Sequence, residues 1–155
     1  MKFIAHRGLF NGPDIEKENS PEQLIRALSE GYDCEVDLWV VNSETWLGHD
    51  APTYLVDRDF LREAGFWIHA KNLAALRWLA DTNYKYFWHQ NDDFTITSNG
   101  LIWTYPGKEL TGRSIMCMPE HADTTLANVK NVHCHAICSD YVEQIKLGLI
   151  PLVLQ

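Results

Sequence analysis

The stretch ENSPEQLIRALSEGYDCEVDLWVV, residues 18–41, decides the fold, because it sets a well-marked helix directly before a strand. Ser20 is a natural N-cap, Pro21 suits the first helical position, and Gln23, three residues after Ser20, completes a capping box. Leu24, Ala27 and Leu28 make the apolar face, and Gly31 supplies the stop. In the strand that follows, alternation puts Cys34, Val36 and Leu38 on one side. Glu35, Asp37 and Trp39 fall on the other.

Toward the N-terminus, KFIAHRG (residues 2–8) reads as a short apolar strand that ends by delivering His6 and Arg7 to one place. Toward the C-terminus, DLWVVNSE turns into a returning strand TWLG (residues 45–48) that carries His49 and Asp50 into a loop. GFWIHAK (residues 65–71) is a further strand. NLAALRWLADT (residues 72–82) is a helix capped by Asn72, with Leu73, Leu76 and Leu79 or Ala80 facing inward.

After residue 82 the helical signal fades. YKYFWHQ, FTITSNGLIWTYPG, RSIMCMPE, VHCHAICSDY and IPLVLQ read as short strands, with single helical turns around Thr124–Val129 and Tyr141–Leu147. About eight strands, the early ones separated by helices, predict an α/β fold with a parallel sheet. A (β/α)8 barrel normally takes about 250 residues. At 155 residues the chain fits one domain over residues 1–155: a compact, trimmed TIM-type barrel lacking several outer helices in its second half, or an open sheet with fewer strands.

Composition narrows the function. A formal charge of −8 argues against sequence-independent nucleic-acid binding, which needs Lys and Arg to displace counterions. An acidic chain that handles an anion needs local positive charge or a bound cation. No run approaches the roughly 18 apolar residues of a membrane span, and no apolar leader opens the chain, so a cytoplasmic setting is expected. Cys34, Cys117, Cys134 and Cys138 then read as buried thiols. His133, Cys134, His135 and Cys138 match no zinc-finger spacing; Cys134, Ala136 and Cys138 read instead as small packing groups on one strand face.

Glu35 and Asp37 are the sharpest chemical feature. Two carboxylates two apart on a strand project from the same face, within reach of one divalent ion of the hard, oxygen-seeking kind. A strand in a sheet covered by helices has no wet face on which to leave two charges. His6 and His49 supply the pair of proton carriers that phosphodiester cleavage benefits from. His89, Gln90, Glu120 and Asp140 are further candidates for the same mouth, and Trp39 and Trp103 for its border.

The ordered set His6-Arg7-Gly8, Glu18-Asn19-Ser20, Glu35-x-Asp37 and His49-Asp50 resembles the glycerophosphodiester phosphodiesterase family. The resemblance covers about the first 50 residues and continues more thinly in WIHAKNLAAL, LIWTYPG and AICSDY. It implies a TIM-type barrel with its site at the C-terminal ends of the strands. It also implies a metal-dependent hydrolase of small glycerophosphodiesters that works through a cyclic phosphate. His6 and His49 would share acid and base duties, Arg7 and Lys71 would meet the phosphate, and Trp103 would contact substrate. Glu35, Asp37 and His69 would hold one divalent metal ion.

His69 stands where that family usually has Glu. Mg²⁺ or Ca²⁺ is the first expectation, and the imidazole opens the site to Mn²⁺, Zn²⁺ or Fe²⁺. Three outcomes stay open: a softer metal, a hard metal held weakly, or lost catalysis. The alternatives to a hydrolase are a catalytically degenerate phosphate- or ligand-binding barrel, and a lyase that stops at the cyclic phosphate. Bare strands in the second half would expose apolar surface, which predicts a homodimer.

Overall fold

The computed structural model describes residues 1–122 and 132–149. The turn expected at Thr124–Val129 and the strand IPLVLQ lie outside the described residues. The first strand, β1 (Lys2–Ala5), ends in a single 3₁₀ turn at His6–Gly8, and α1 (Pro21–Ser29) leads into β2 (Asp33–Val41). Next come the short strands β3 (Glu44–Leu47) and β4 (Tyr54–Val56), then β5 (Phe66–Ala70) and α2 (Leu73–Ala80). Four short strands follow: β6 (Tyr86–Phe87), β7 (Phe94–Ile96), β8 (Ile102–Thr104) and β9 (Ser114–Cys117). The described chain ends with β10 (Ala136–Ser139) and α3 (Val142–Leu147), the latter where a turn was expected.

Seven strands form one parallel run in the order β6-β5-β2-β1-β10-β9-β8. The β3–β4 pair extends β2 antiparallel, as the returning hairpin requires, and β7 folds back on β8. The run is curled. Phe87 on β6 and Trp103 on β8 stack with ring centroids 4.2 Å apart. Nearby, the Ser98 amide donates to the Tyr86 carbonyl at 2.8 Å. Ile4, Trp67, Ile115, Ala136 and Cys138 join these rings in one buried cluster on the inner face of the curl.

A second cluster lies between the outer face and the helices, with Cys34, Val36, Leu38 and Ile68 packed against Leu24, Ala27, Ala75 and Leu79. Burying a side chain such as Leu24 contributes about 1.5–3 kcal/mol. The fold is thus mixed α/β with few helices. Among the described residues none is helical between β6 and β9 apart from turns, and no helix is long and apolar enough to cross a membrane.

Local details depart from the sequence expectation in instructive ways. Ser20 caps α1 by accepting from the Gln23 amide, but the Gln23 side chain does not close the capping box. It donates to the Gly8 carbonyl at 2.8 Å, tying α1 to the turn that carries His6 and Arg7. In α2, Leu79 and Leu76 pack inward, whereas Leu73 and Ala80 are exposed and Ala75 takes the inner position. The cause is Asn72, which caps Ala75 and also pairs with both backbone groups of Val40 on β2, fixing the rotation of the helix. Cys134 precedes β10 and packs with Met116 and Ile137, away from Ala136 and Cys138. All four cysteines are free thiols, three of them buried.

Candidate active site

Because the seven strands run parallel, their C-terminal ends open on one side. His6, Arg7, Glu35, Asp37, His49, His69 and Trp103 line a single cavity of about 240 Å³ there. Lys71 stands beside it, with Nζ 3.5 Å from Asp37 Oδ1. All eight residues expected at the site are therefore brought together.

Strand parity does most of the placing. β2 turns Cys34, Val36 and Leu38 to the helices and leaves Glu35 and Asp37 inside, 2% and 1% exposed. β5 pairs in register with it, so Asp37 stands opposite His69 and Glu35 opposite Trp67. Asp37 is the hub. Its Oδ2 accepts from Asn19 Nδ2 at 2.9 Å and lies 3.4 Å from Arg7 Nε, while its own amide donates to Asn19 Oδ1 at 2.9 Å. Its Oδ1 is 3.0 Å from His69 Nδ1 without the alignment of a full hydrogen bond.

The turn after β1 works by a backbone device. Arg7 adopts a left-handed conformation (φ 52°), which costs a non-glycine residue on the order of 1–3 kcal/mol. In return its amide donates to Glu35 Oε2 at 3.1 Å and its guanidinium donates to Glu18 Oε2 at 2.7 Å. His6 Nδ1 pairs with Asp140 Oδ1 at 2.9 Å, and His6 Nε2 is 4.0 Å from Glu35 Oε2. Asp140 is held in turn by buried Glu120, which accepts from the Asp140 amide at 3.0 Å and from the Ser139 hydroxyl.

His49 is positioned by the β2–β3 hairpin. Trp39 does not border the cavity; its Nε1 donates to the Gly48 carbonyl at 2.7 Å and braces the loop. Gly48 has φ 148°, and a Cβ there would run into the Ala51 carbonyl oxygen, so no larger residue fits. His49 Nδ1 reaches Asp50 Oδ1 at 2.8 Å.

These contacts set the charges. For His6, burial alone would lower the pKa, but the Asp140 hydrogen bond and the Glu35 charge push it up to about 9. His49 is lowered, first by burial and then by Arg7. Glu35 is raised by burial and by the neighbouring Asp37 charge. Burial opposes ionisation of Asp37 too, yet His69, Lys71 and Arg7 hold it below the usual carboxylate range.

The far wall of the cavity is apolar and aromatic: Phe87, Trp103, Tyr105, Pro106 and Met118. His89 belongs to this wall, stacked on Tyr105 with centroids 4.2 Å apart, whereas Gln90 is exposed outside it. Sequence reasoning did not assign the supporting roles of Asn19, Glu18, Glu120 and Asp140. For Asp140 a signal existed: it follows the last described strand as His6 follows the first.

Glu35, Asp37 and His69 each offer a ligand atom, all within 4.8 Å of one another, so they could hold a metal ion. The donor set fits one. Asp37 Oδ1 is buried and makes no aligned hydrogen bond, with Lys71 Nζ 3.5 Å away, so its lone pairs are not fully engaged. Comparison of the chain with protein-family models, curated proteins and solved structures returns no match.

Proposed function

We propose that this chain is a metal-dependent phosphodiesterase on a trimmed (β/α)8 barrel, hydrolysing a small glycerophosphodiester-type substrate. The observation that carries the reading is a complementary pair of unmet needs. Arg7 Nε is a buried donor and Asp37 Oδ1 a buried acceptor, neither of them in an aligned hydrogen bond, on residues lining one cavity. A phosphodiester together with a cation meets both. The barrel reading is supported by the parallel run whose end strands touch through Phe87 and Trp103. A site at the C-terminal ends of the strands is the rule for such barrels.

A divalent ion on Glu35, Asp37 and His69 would polarise a phosphoryl oxygen. The chain's own groups do the rest. Arg7 is held at Nη1 by Glu18, which leaves other guanidinium N–H groups for phosphate oxygens, and Lys71 adds a second positive charge. His6, oriented by Asp140, and His49, carried on the hairpin loop, divide the proton transfers. One takes the proton of the attacking hydroxyl and the other supplies one to the leaving alcohol. Attack by the hydroxyl next to the ester gives a cyclic phosphate, which water then opens. The apolar wall around Trp103 and Tyr105 faces the alcohol.

The test is turnover of glycerophosphodiesters, which carry the attacking hydroxyl next to the ester, across a series of divalent metals, with product analysis. Release of the open monoester supports the hydrolase. Accumulation of the cyclic phosphate makes the protein a lyase. The competing reading, a binding barrel without turnover, draws on the engagement of Arg7 by Glu18 and Asp37. It predicts phosphate binding with no product under any metal.

A further inference from the structure

The imidazole of His69 is constrained on both nitrogens. Nε2 lies 3.0 Å from the His89 carbonyl oxygen, which can only accept, so Nε2 carries a proton. The ring is held in plane by stacking on Phe87, with centroids 4.9 Å apart and planes 10° apart. Nδ1 then faces Asp37 Oδ1 at 3.0 Å and Glu35 Oε1 at 3.7 Å. Nδ1 and one oxygen of each carboxylate lie within 4.8 Å of one another while Nε2 is tied to the backbone, and Asp37 Oδ1 makes no aligned hydrogen bond of its own.

We infer that Glu35, Asp37 and His69 form a site selective for a borderline divalent ion of the Zn²⁺ and Mn²⁺ class over Mg²⁺ and Ca²⁺, with His69 Nδ1 as the selecting ligand. This deepens the metal-dependent reading above and rests on it. Imidazole nitrogen is a good donor to zinc at about 2.0–2.1 Å, whereas Mg²⁺ and Ca²⁺ favour an all-oxygen shell. His69 Nδ1 lies 3.0 Å from Asp37 Oδ1 and 3.7 Å from Glu35 Oε1, on either side of the spacing of about 3.4 Å that two donors about 2.1 Å from one tetrahedral ion have. An Nε2–H held by a backbone carbonyl is the support that metal-ligating histidines almost always have, and it fixes the tautomer before any ion arrives.

Zn²⁺ outcompetes Mg²⁺ at nearly any such donor set, so the informative quantity is the ratio of affinities and its change on substitution. The metal-stripped full-length chain and His69→Glu are titrated with Zn²⁺ and with Mg²⁺ by calorimetry. The expected result is a Zn²⁺-to-Mg²⁺ affinity ratio at least tenfold lower in the variant, mostly through tighter Mg²⁺ binding. An unchanged ratio overturns the inference. Should the variant fail to fold, long-range ¹H–¹⁵N spectra of the wild-type histidines decide alone. Zn²⁺ must shift the His69 Nδ1 resonance while Nε2 stays protonated; an unmoved Nδ1 overturns the assignment. Neither readout uses turnover, so loss of the phosphodiesterase reading and loss of metal selectivity are separately visible.

Discussion

His6 and Asp140 are neighbours because β1 and β10 pair Ala5 with Ser139, so the residue that follows each strand arrives beside the other. A histidine from the start of the chain is thereby given its carboxylate by a residue 134 positions away. Proton transfer in the proposed reaction depends on that contact.

Replacement of either proton carrier tests the chemistry directly. His6→Ala and His49→Ala should each lower turnover of a glycerophosphodiester by about 10²-fold or more, the usual scale for general acid–base groups. Near-normal rates in both variants would remove the mechanism.

The raised pKa of His6 makes a prediction about stability in metal-free protein. Below pH 6.5 the folded and unfolded chains both carry the proton and the contribution is complete. Between 6.5 and about 9 the folded state holds the proton and the unfolded state does not, so stability falls across this window. The full loss is on the order of 3 kcal/mol. Urea denaturation at several pH values should show the decline in wild type and a flatter profile in Asp140→Asn, which lacks the anion that holds the proton. Identical profiles would contradict the pairing.

Asn19→Ala should cost about 2–4 kcal/mol of stability, because it removes both hydrogen bonds to Asp37, one of them to a buried charge. Chemical denaturation measures the change. A loss below about 0.5 kcal/mol, the range of an ordinary surface substitution, would mean that Asp37 finds other partners.

Gly48→Ala should damage activity more than stability. The added methyl meets the Ala51 carbonyl and displaces the loop that carries His49, while the core beneath β2 and β3 is untouched. Turnover and thermal melting on the same preparation give the comparison. Full activity would show that His49 tolerates movement of its loop.

Much of this was legible in the sequence, and the reason is periodicity. Alternation in residues 34–39 put Glu35 and Asp37 on one face, and the caps at Ser20 and Asn72 located both major helices. What pattern alone could not supply was adjacency. That His69 stands opposite Asp37 follows only once β5 is known to pair with β2 in that register. That Asp140 orients His6 follows only from the β1–β10 pairing. Polar side chains with several partners were equally opaque. Gln23 prefers the Gly8 carbonyl to its own helix, and Trp39 turns its indole nitrogen to Gly48. In each case a tertiary acceptor wins over the local one.

The position of β1 between β2 and β10 has a consequence for how the molecule comes to life. Pairing with β2 closes a loop of about thirty residues, whereas pairing with β10 must wait for a strand more than 130 residues further on. Contacts of such separation form late and slowly. During synthesis, Glu35, Asp37 and His69 can gather well before His6 has met its carboxylate. In the proposed reaction, the cluster that could hold an ion is therefore assembled first, and the proton-transfer pair is completed only when the last described strand docks.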